Sequence, residues 1–281
     1  MLRFWKGQAL GNDYLIVDAA ELGTPLTAAL AVRLCDRHRG AGSDGVLVAD
    51  VRTRPFALRI INPDGTDAEK SGNGLRIFAA FLYGRGLVRR DEWFDVRLPR
   101  DTVALRVEAE LDDGALMIRA RMGRARFDGT AAGFTPEAGE ALAYELRLPD
   151  GSTASIHTVS LGNPHCVVFV DRLDRSDFLA RAPQLCSHAA FAAGTNVQFA
   201  RVAGPHELEA WIWERGAGET LASGSSACAV AAAAVRRGFV AYGGLTVQML
   251  GGSVEVTVDQ TFHVELLGPA QIVYEGKMIN F

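Results

Sequence analysis

Short stretches rich in β-branched, aliphatic and aromatic side chains recur along the chain, and most carry the spacing of strands. In the first half DYLIVDA (13–19), GVLVADV (45–51), FALRIIN (56–62), WFDVRL (93–98), TVALRVEAEL (102–111) and ALMIRARM (115–122) read this way. In the second, ASIHTVSL (154–161), CVVFV (166–170), NVQFARV (196–202), HELEAWIWE (206–214), LTVQML (245–250), SVEVTV (253–258) and FHVELL (262–267) do the same. Helical spacing is confined to TAALAVRLCDRH (27–38), GNGLRIFAAFLYGRG (72–86, with Gly86 near its end) and SSACAVAAAAVRRG (225–238). The almost wholly apolar 227–235 stretch predicts a helix buried on most sides. Runs of strands with few helices between them predict an α+β fold with mostly antiparallel sheet, not a doubly wound parallel sheet.

The pattern repeats. LGN occurs at 10–12 and at 161–163, an offset of 151. GSD (42–44) corresponds to GTN (194–196), RIIN (59–62) to WIWE (211–214), and Ser71-Gly72 to Ser223-Gly224, each at an offset of 152. Ala79-Ala80 and Ala231-Ala232 lie equally far past the two serines. Landmarks in one order at one offset predict a duplicated architecture of two similar halves.

Composition narrows the function without naming it. The 281 residues suffice for one large domain or two smaller ones, and the net charge of −4 gives no reason to expect nucleic acid or an anionic membrane as partner. No apolar run reaches the length of a membrane span, and the start MLRFWKGQALGN is not a secretion signal. Cys35, Cys166, Cys186 and Cys228 form no CxxC pair, which predicts reduced thiols in a cytoplasmic protein. No metal-binding spacing occurs among the histidines, so no metal is expected. GAGSDG (40–45) fits GxGxxG, but a helical segment precedes it and a strand follows, the reverse of a dinucleotide loop.

Two serine turns remain. Ser71 and Ser223 each precede a glycine-containing first helical turn, where unpaired N–H groups and the helix dipole favour a carboxylate. Both serines are also ordinary N-cap residues. Were both turns to face one molecule, each serine would address one face of the carbon beside that carboxylate. Such an arrangement suits inversion at an acidic α-carbon, and the turns alone leave capping and catalysis both open.

The segments ALGNDY (9–14), DRHRGAGSDG (36–45), NPDGTDAEKSGNGLR (62–76), SLGNPH (160–165), GTNVQF (194–199) and WERGAGETLASGSSACA (213–229) resemble those of the diaminopimelate epimerase family along the whole chain. The resemblance implies two pseudo-symmetric halves, each a mostly antiparallel sheet wrapped around a central helix, with the active site in the cleft between them. The N-terminal half would comprise 1–122 plus 270–281, with QIVYEGKMINF (271–281) as the returning strand, and the C-terminal half 123–269. It implies a cytoplasmic, cofactor-independent isomerase of lysine biosynthesis acting on a small amino acid, with a homodimer as the assembly considered.

By position, the resemblance implies Ser71 and Ser223 as the catalytic pair. Asn62, Asn163, Asn196 and Arg215 would hold the distal amino-acid end of the substrate, with Glu214 near its ammonium group. Arginine binds a carboxylate in bidentate fashion and asparagine offers donor and acceptor together. Gly72, Asn73, Gly224 and Ser225 would hold the proximal carboxylate through backbone amides, Asn12 and His165 would line the site, and His165 would support proton transfer.

The chain also departs from the family. Its two catalytic cysteines fall on Ser71 and Ser223, its usual glutamine falls on Gly45, and Lys70 and Leu75 differ from the commonest residues. A thiol ionises near 8.5 and an aliphatic hydroxyl closer to water's 15.7, a gap of about 7 units or roughly 10 kcal/mol. Helix dipoles return only about 1 to 2 kcal/mol of that. Three readings follow: an epimerase impaired or altered by the serine pair, a β-elimination or dehydration enzyme for a hydroxy amino acid, and a non-catalytic amino-acid binder.

Overall fold

The computed structural model describes residues 1–23, 25–137 and 139–279, so the last two residues of the expected returning strand, Asn280 and Phe281, lie outside the described part. The chain divides into two compact units, Met1–Arg121 with the chain from Leu267 onward, and Met122–Leu266.

In the first unit the chain runs β1 (Leu2–Ala9), β2 (Asn12–Asp18), α1 (Ala28–Cys35), β3 (Val46–Asp50), β4 (Phe56–Ile61), β5 (Asp67–Ala68), α2 (Gly72–Gly84), β6 (Phe94–Arg97), β7 (Thr102–Glu110) and β8 (Leu116–Arg124). Neighbouring strands pair antiparallel except at two places, β2 with β3 and β4 with β6, where a helix separates the partners in sequence. The sheet curls around α2, whose residues from Gly72 to Leu82 are all buried against β1, β2, β3 and β7. Phe78 stacks on Phe81 and meets Phe56 edge-on, so bulky rings fill this core.

The second unit runs β9 (Leu142–Arg147), β10 (Thr153–Ser160), β11 (Pro164–Phe169), α3 (Arg175–Cys186), β12 (Asn196–Gly204), β13 (Glu207–Glu214), β14 (Gly218–Thr220), α4 (Gly224–Arg236), β15 (Gly243–Met249), β16 (Gly252–Val258) and the start of β17 (His263–Met278), which belongs to the first unit from Leu267 onward. Apart from β9, its elements repeat the first unit one for one, down to the two parallel pairs, β11 with β12 and β13 with β15. Its central helix α4 is lined with alanine and buried from Gly224 to Val235 against β10, β11, β12, β13, β15 and β16. The α+β class and the two similar halves agree with the expectation from the sequence.

Besides the short strands β5 and β14, three elements were not expected. Strand β1 mixes Lys6 and Gln8 into its apolar residues, and β9 is only partly buried. Helix α3 carries Pro183 and buries only Phe178, Ala182 and Leu185, one narrow stripe. It is nonetheless the repeat counterpart of α1, since Cys35 and Cys186 end the two helices 151 residues apart.

Candidate functional site

The two central helices begin alike. Ser71 and Ser223 are their N-cap residues, both with extended backbone. The first N–H groups of each helix, on Gly72 and Asn73 and on Gly224 and Ser225, fall in the turn where a helix offers no intrahelical acceptor.

Around Ser71 the turn is closed by hydrogen bonds. The Gly74 N–H donates to Ser71 Oγ at 3.0 Å, and the Tyr14 hydroxyl lies 3.2 Å from the same oxygen. A Cβ on Gly74 would stand 3.3 Å from Ser71 Oγ, so glycine there leaves room for the cap. Just before it, buried Lys70 reaches Asp101 at 2.6 Å and ties this end of the turn to the neighbouring loop. Asn73 donates to Asn12 Oδ1 at 3.1 Å and accepts from fully buried Arg76 at 2.9 Å, while Asn12 donates to Asp44 at 2.9 Å. Asp44 and Asp13 each accept the other's backbone N–H, at 3.0 Å in both directions. Burial alone would raise the Asp13 carboxyl, but hydrogen bonds from Arg37 and Lys6 outweigh it and hold it below the usual range.

The second unit builds the equivalent place from different side chains. Ser223 is buried and makes no capping bond; Ser226 stands where α2 has Gly74 and carries a Cβ. Asn163 donates to Ser225 Oγ at 3.3 Å, the counterpart of the Asn73–Asn12 bond. His165 lies 3.0 Å from Asn163 Oδ1 through Nε2 and 3.1 Å from Gln198 Nε2 through Nδ1; Gln198 also donates to Ser226 at 2.9 Å. An amide donor against Nδ1 and an amide acceptor against Nε2 fix the neutral tautomer with the proton on Nε2. Burial, and secondarily the Arg215 charge, lower its pKa to about 3. Both ring nitrogens of His165 are therefore engaged, one with Asn163 and the other with Gln198.

The residues expected at the distal end are placed separately. Asn196 donates to Pro164 O at 3.1 Å and accepts from the Arg215 N–H at 2.9 Å, so its amide braces the start of the Arg215 turn. The Arg215 guanidinium donates to Ala193 O at 3.2 Å. Glu214 ends β13, half-buried, immediately before it. Asn62 bonds within its own hairpin, to Thr66 Oγ1 at 3.0 Å. Tyr14, Gln198, Asp44 and Arg76 were not singled out from the sequence. Tyr14 could have been, because it stands 151 residues before His165 in the repeat.

Among the described residues no group of three or more His, Cys, Asp or Glu side chains is placed to hold a metal ion, and no helix is long and apolar enough to cross a membrane.

The architecture of two similar halves, each built around a buried central helix, is shared with solved structures. A solved hydroxyproline epimerase from Agrobacterium vitis shares it with a TM-score of 0.72 at 12% identity, covering 98% of this chain and 91% of that one. A probable proline racemase from Agrobacterium radiobacter also gives 0.72, at 13% identity, covering 100% and 94%. Sequence carries the assignment further. The family model for diaminopimelate epimerase matches residues 4–127 and 157–273. The diaminopimelate epimerase of Pelotomaculum thermopropionicum is 36% identical over 280 residues, covering 98% of each chain. That of Desulforudis audaxviator is 38% identical over 284 residues, covering 99% of this chain and 100% of its own. This chain belongs to the diaminopimelate epimerase family.

Proposed function

We propose that the chain is a cofactor-independent amino-acid isomerase that acts at the α-carbon of diaminopimelate or a close analogue. The observation that carries this reading is the repeated Ser-Gly turn at the start of two buried helices in a chain of this family. In this reading the amides of Gly72, Asn73, Gly224 and Ser225 bind the proximal carboxylate. Asn62, Asn163, Asn196 and Arg215 bind the distal end, with Glu214 near its ammonium, and Asn12 keeps Asn73 in place. Ser71 and Ser223 serve opposite faces of the α-carbon, since inversion needs a proton acceptor on one side and a donor on the other.

The test is α-proton exchange in deuterated water, with chiral chromatography of LL- and meso-diaminopimelate. Exchange with inversion supports the proposal; binding without exchange leaves an amino-acid binder and removes it. A second reading is favoured by one observation, the unequal surroundings of the two serines. Proton removal on one face only would suit β-elimination of water from a β-hydroxy amino acid, which the same assay run on such a substrate reveals as keto acid and ammonia.

A further inference from the structure

We propose that Tyr14 is the proton acceptor behind Ser71, so that the Ser71–Tyr14 hydroxyl pair, not Ser71 alone, moves the α-proton on that face of the substrate. This rests on the isomerase reading above and assigns a residue to it.

Three observations converge on Tyr14. Its side chain is buried on β2 and its hydroxyl lies 3.2 Å from Ser71 Oγ, within reach of a proton. Ser71 Oγ is fixed from the other side by the Gly74 N–H, so the oxygen is held between two defined partners. The Tyr14 ring also needs Gly45: a Cβ there would come within 2.6 Å of Tyr14 Cε1 and 2.7 Å of Ile61 O. Gly45, one of the departures from the family pattern, is thus what makes room for the phenol. The repeat counterpart of Tyr14 is His165, whose ring is committed to Asn163 and Gln198.

The chemistry favours the pair over a lone serine. A phenol ionises near 10, roughly five to six units below an aliphatic hydroxyl. With Tyr14 as phenolate, the α-C–H bond breaks and its electron pair stays on carbon, delocalised towards the carboxylate. The proton goes to Ser71 Oγ, and the Ser71 hydroxyl proton passes to Tyr14 Oη. One negative charge enters on the phenolate and leaves on the carbanion, with no other reactant. Tyr14 acts only through Ser71 and is a positioning and relay residue, not itself in contact with the reacting carbon.

The experiment compares the wild-type chain with Tyr14→Phe, which removes one oxygen and keeps the ring. Deuterium exchange into each diaminopimelate stereoisomer is followed against pH, and substrate affinity is measured in parallel by calorimetry. Tyr14→Phe is expected to slow exchange on one face about a hundredfold or more with affinity unchanged. The rise in wild-type rate with pH should vanish with the hydroxyl. Gly45→Ala should reproduce the loss by pushing the ring away. Wild-type exchange that persists in Tyr14→Phe with the same pH profile overturns the assignment while leaving the proposed function standing. Substrate binding without exchange in the wild-type chain overturns both.

Discussion

Ser71 and Ser223 open helices of 13 residues each at matching points of the repeat, yet their surroundings differ in kind. The Ser71 oxygen is held by a backbone N–H and a phenol, in a turn underlain by Arg76 and flanked by the Asp13–Asp44–Arg37 ion network. Ser223 makes no capping bond and lies above a neutral network of His165, Gln198, Ser226 and Asn163. Duplication supplied the same backbone twice, and the side chains on β2 and β11 then diverged. A symmetric reaction site needs only the shared turn. The divergent shells decide how each hydroxyl can behave, and they can be separated by experiment.

The largest expected effect comes from erasing the difference in chemistry. Ser71→Cys with Ser223→Cys should raise the epimerisation rate about a thousandfold, because two hydroxyls become two readily ionised thiols, while either single change should fall well short. Chiral chromatography of the product reads this directly. A double variant that binds substrate but stays inert would mean that the shells, not the two atoms, limit the site.

Next is the distal end of the substrate, which the proposal gives in part to Asn196 and Arg215. Arg215→Ala should weaken diaminopimelate binding by roughly 2 to 5 kcal/mol if a carboxylate is buried against it. Calorimetry against alanine is the control, since alanine has no distal carboxylate. A loss under about 0.5 kcal/mol would reduce Arg215 to a brace for the 193–196 loop.

Acid should separate the units. Folding lowers His165 to about 3 and His157 to about 4, both by burial first. A folded value below the ordinary 6.5 means that the unfolded chain takes the proton first. The stability these neutral rings contribute is complete above about pH 6.5 and drains away as pH falls towards 4 and 3, at up to about 1.4 kcal/mol per unit for each. Both rings lie in the second unit. Hydrogen exchange at pH 5 should show α4 and β11 losing protection before α2 and β2. His165→Gln should flatten part of the slope seen in urea titrations across this range.

The smallest effect isolates the caps. Ser71→Ala should cost about 1 kcal/mol of stability and Ser223→Ala less than about 0.5, because only the first loses a side-chain cap. Thermal unfolding of the two variants side by side is sufficient; equal losses would show that the capping difference has no energetic weight.

The repeat was legible because its markers are local: a glycine turn, an apolar helix and a strand rich in β-branched residues each declare themselves within a few positions. The serine turns were legible for the same reason. Helix α3 was obscured by Pro183 and by a single buried stripe, although the offset that linked Ser71 to Ser223 would have located it opposite α1. The closure of His165 could not be read locally, since it depends on Gln198 in a parallel strand whose other residues are nearly all apolar where buried. Nor could the unequal caps. The two Ser-Gly sequences are identical, and what distinguishes them is whether the fourth residue carries a Cβ and which side chain the neighbouring strand presents.

The path of the chain sets the order in which this molecule can be made. The second unit is one continuous stretch, whereas the first is assembled from both ends, with Leu2 on β1 opposite Met278 on β17 and Gln8 opposite Gln271. On the ribosome, synthesis usually lets the N-terminal part finish first. Here that order is reversed: the segment synthesised in the middle has all its own strands before the segment synthesised first can receive its last one. Until then β1 offers an unpaired edge built around Phe4 and Trp5, the surface on which nascent chains aggregate or recruit a chaperone.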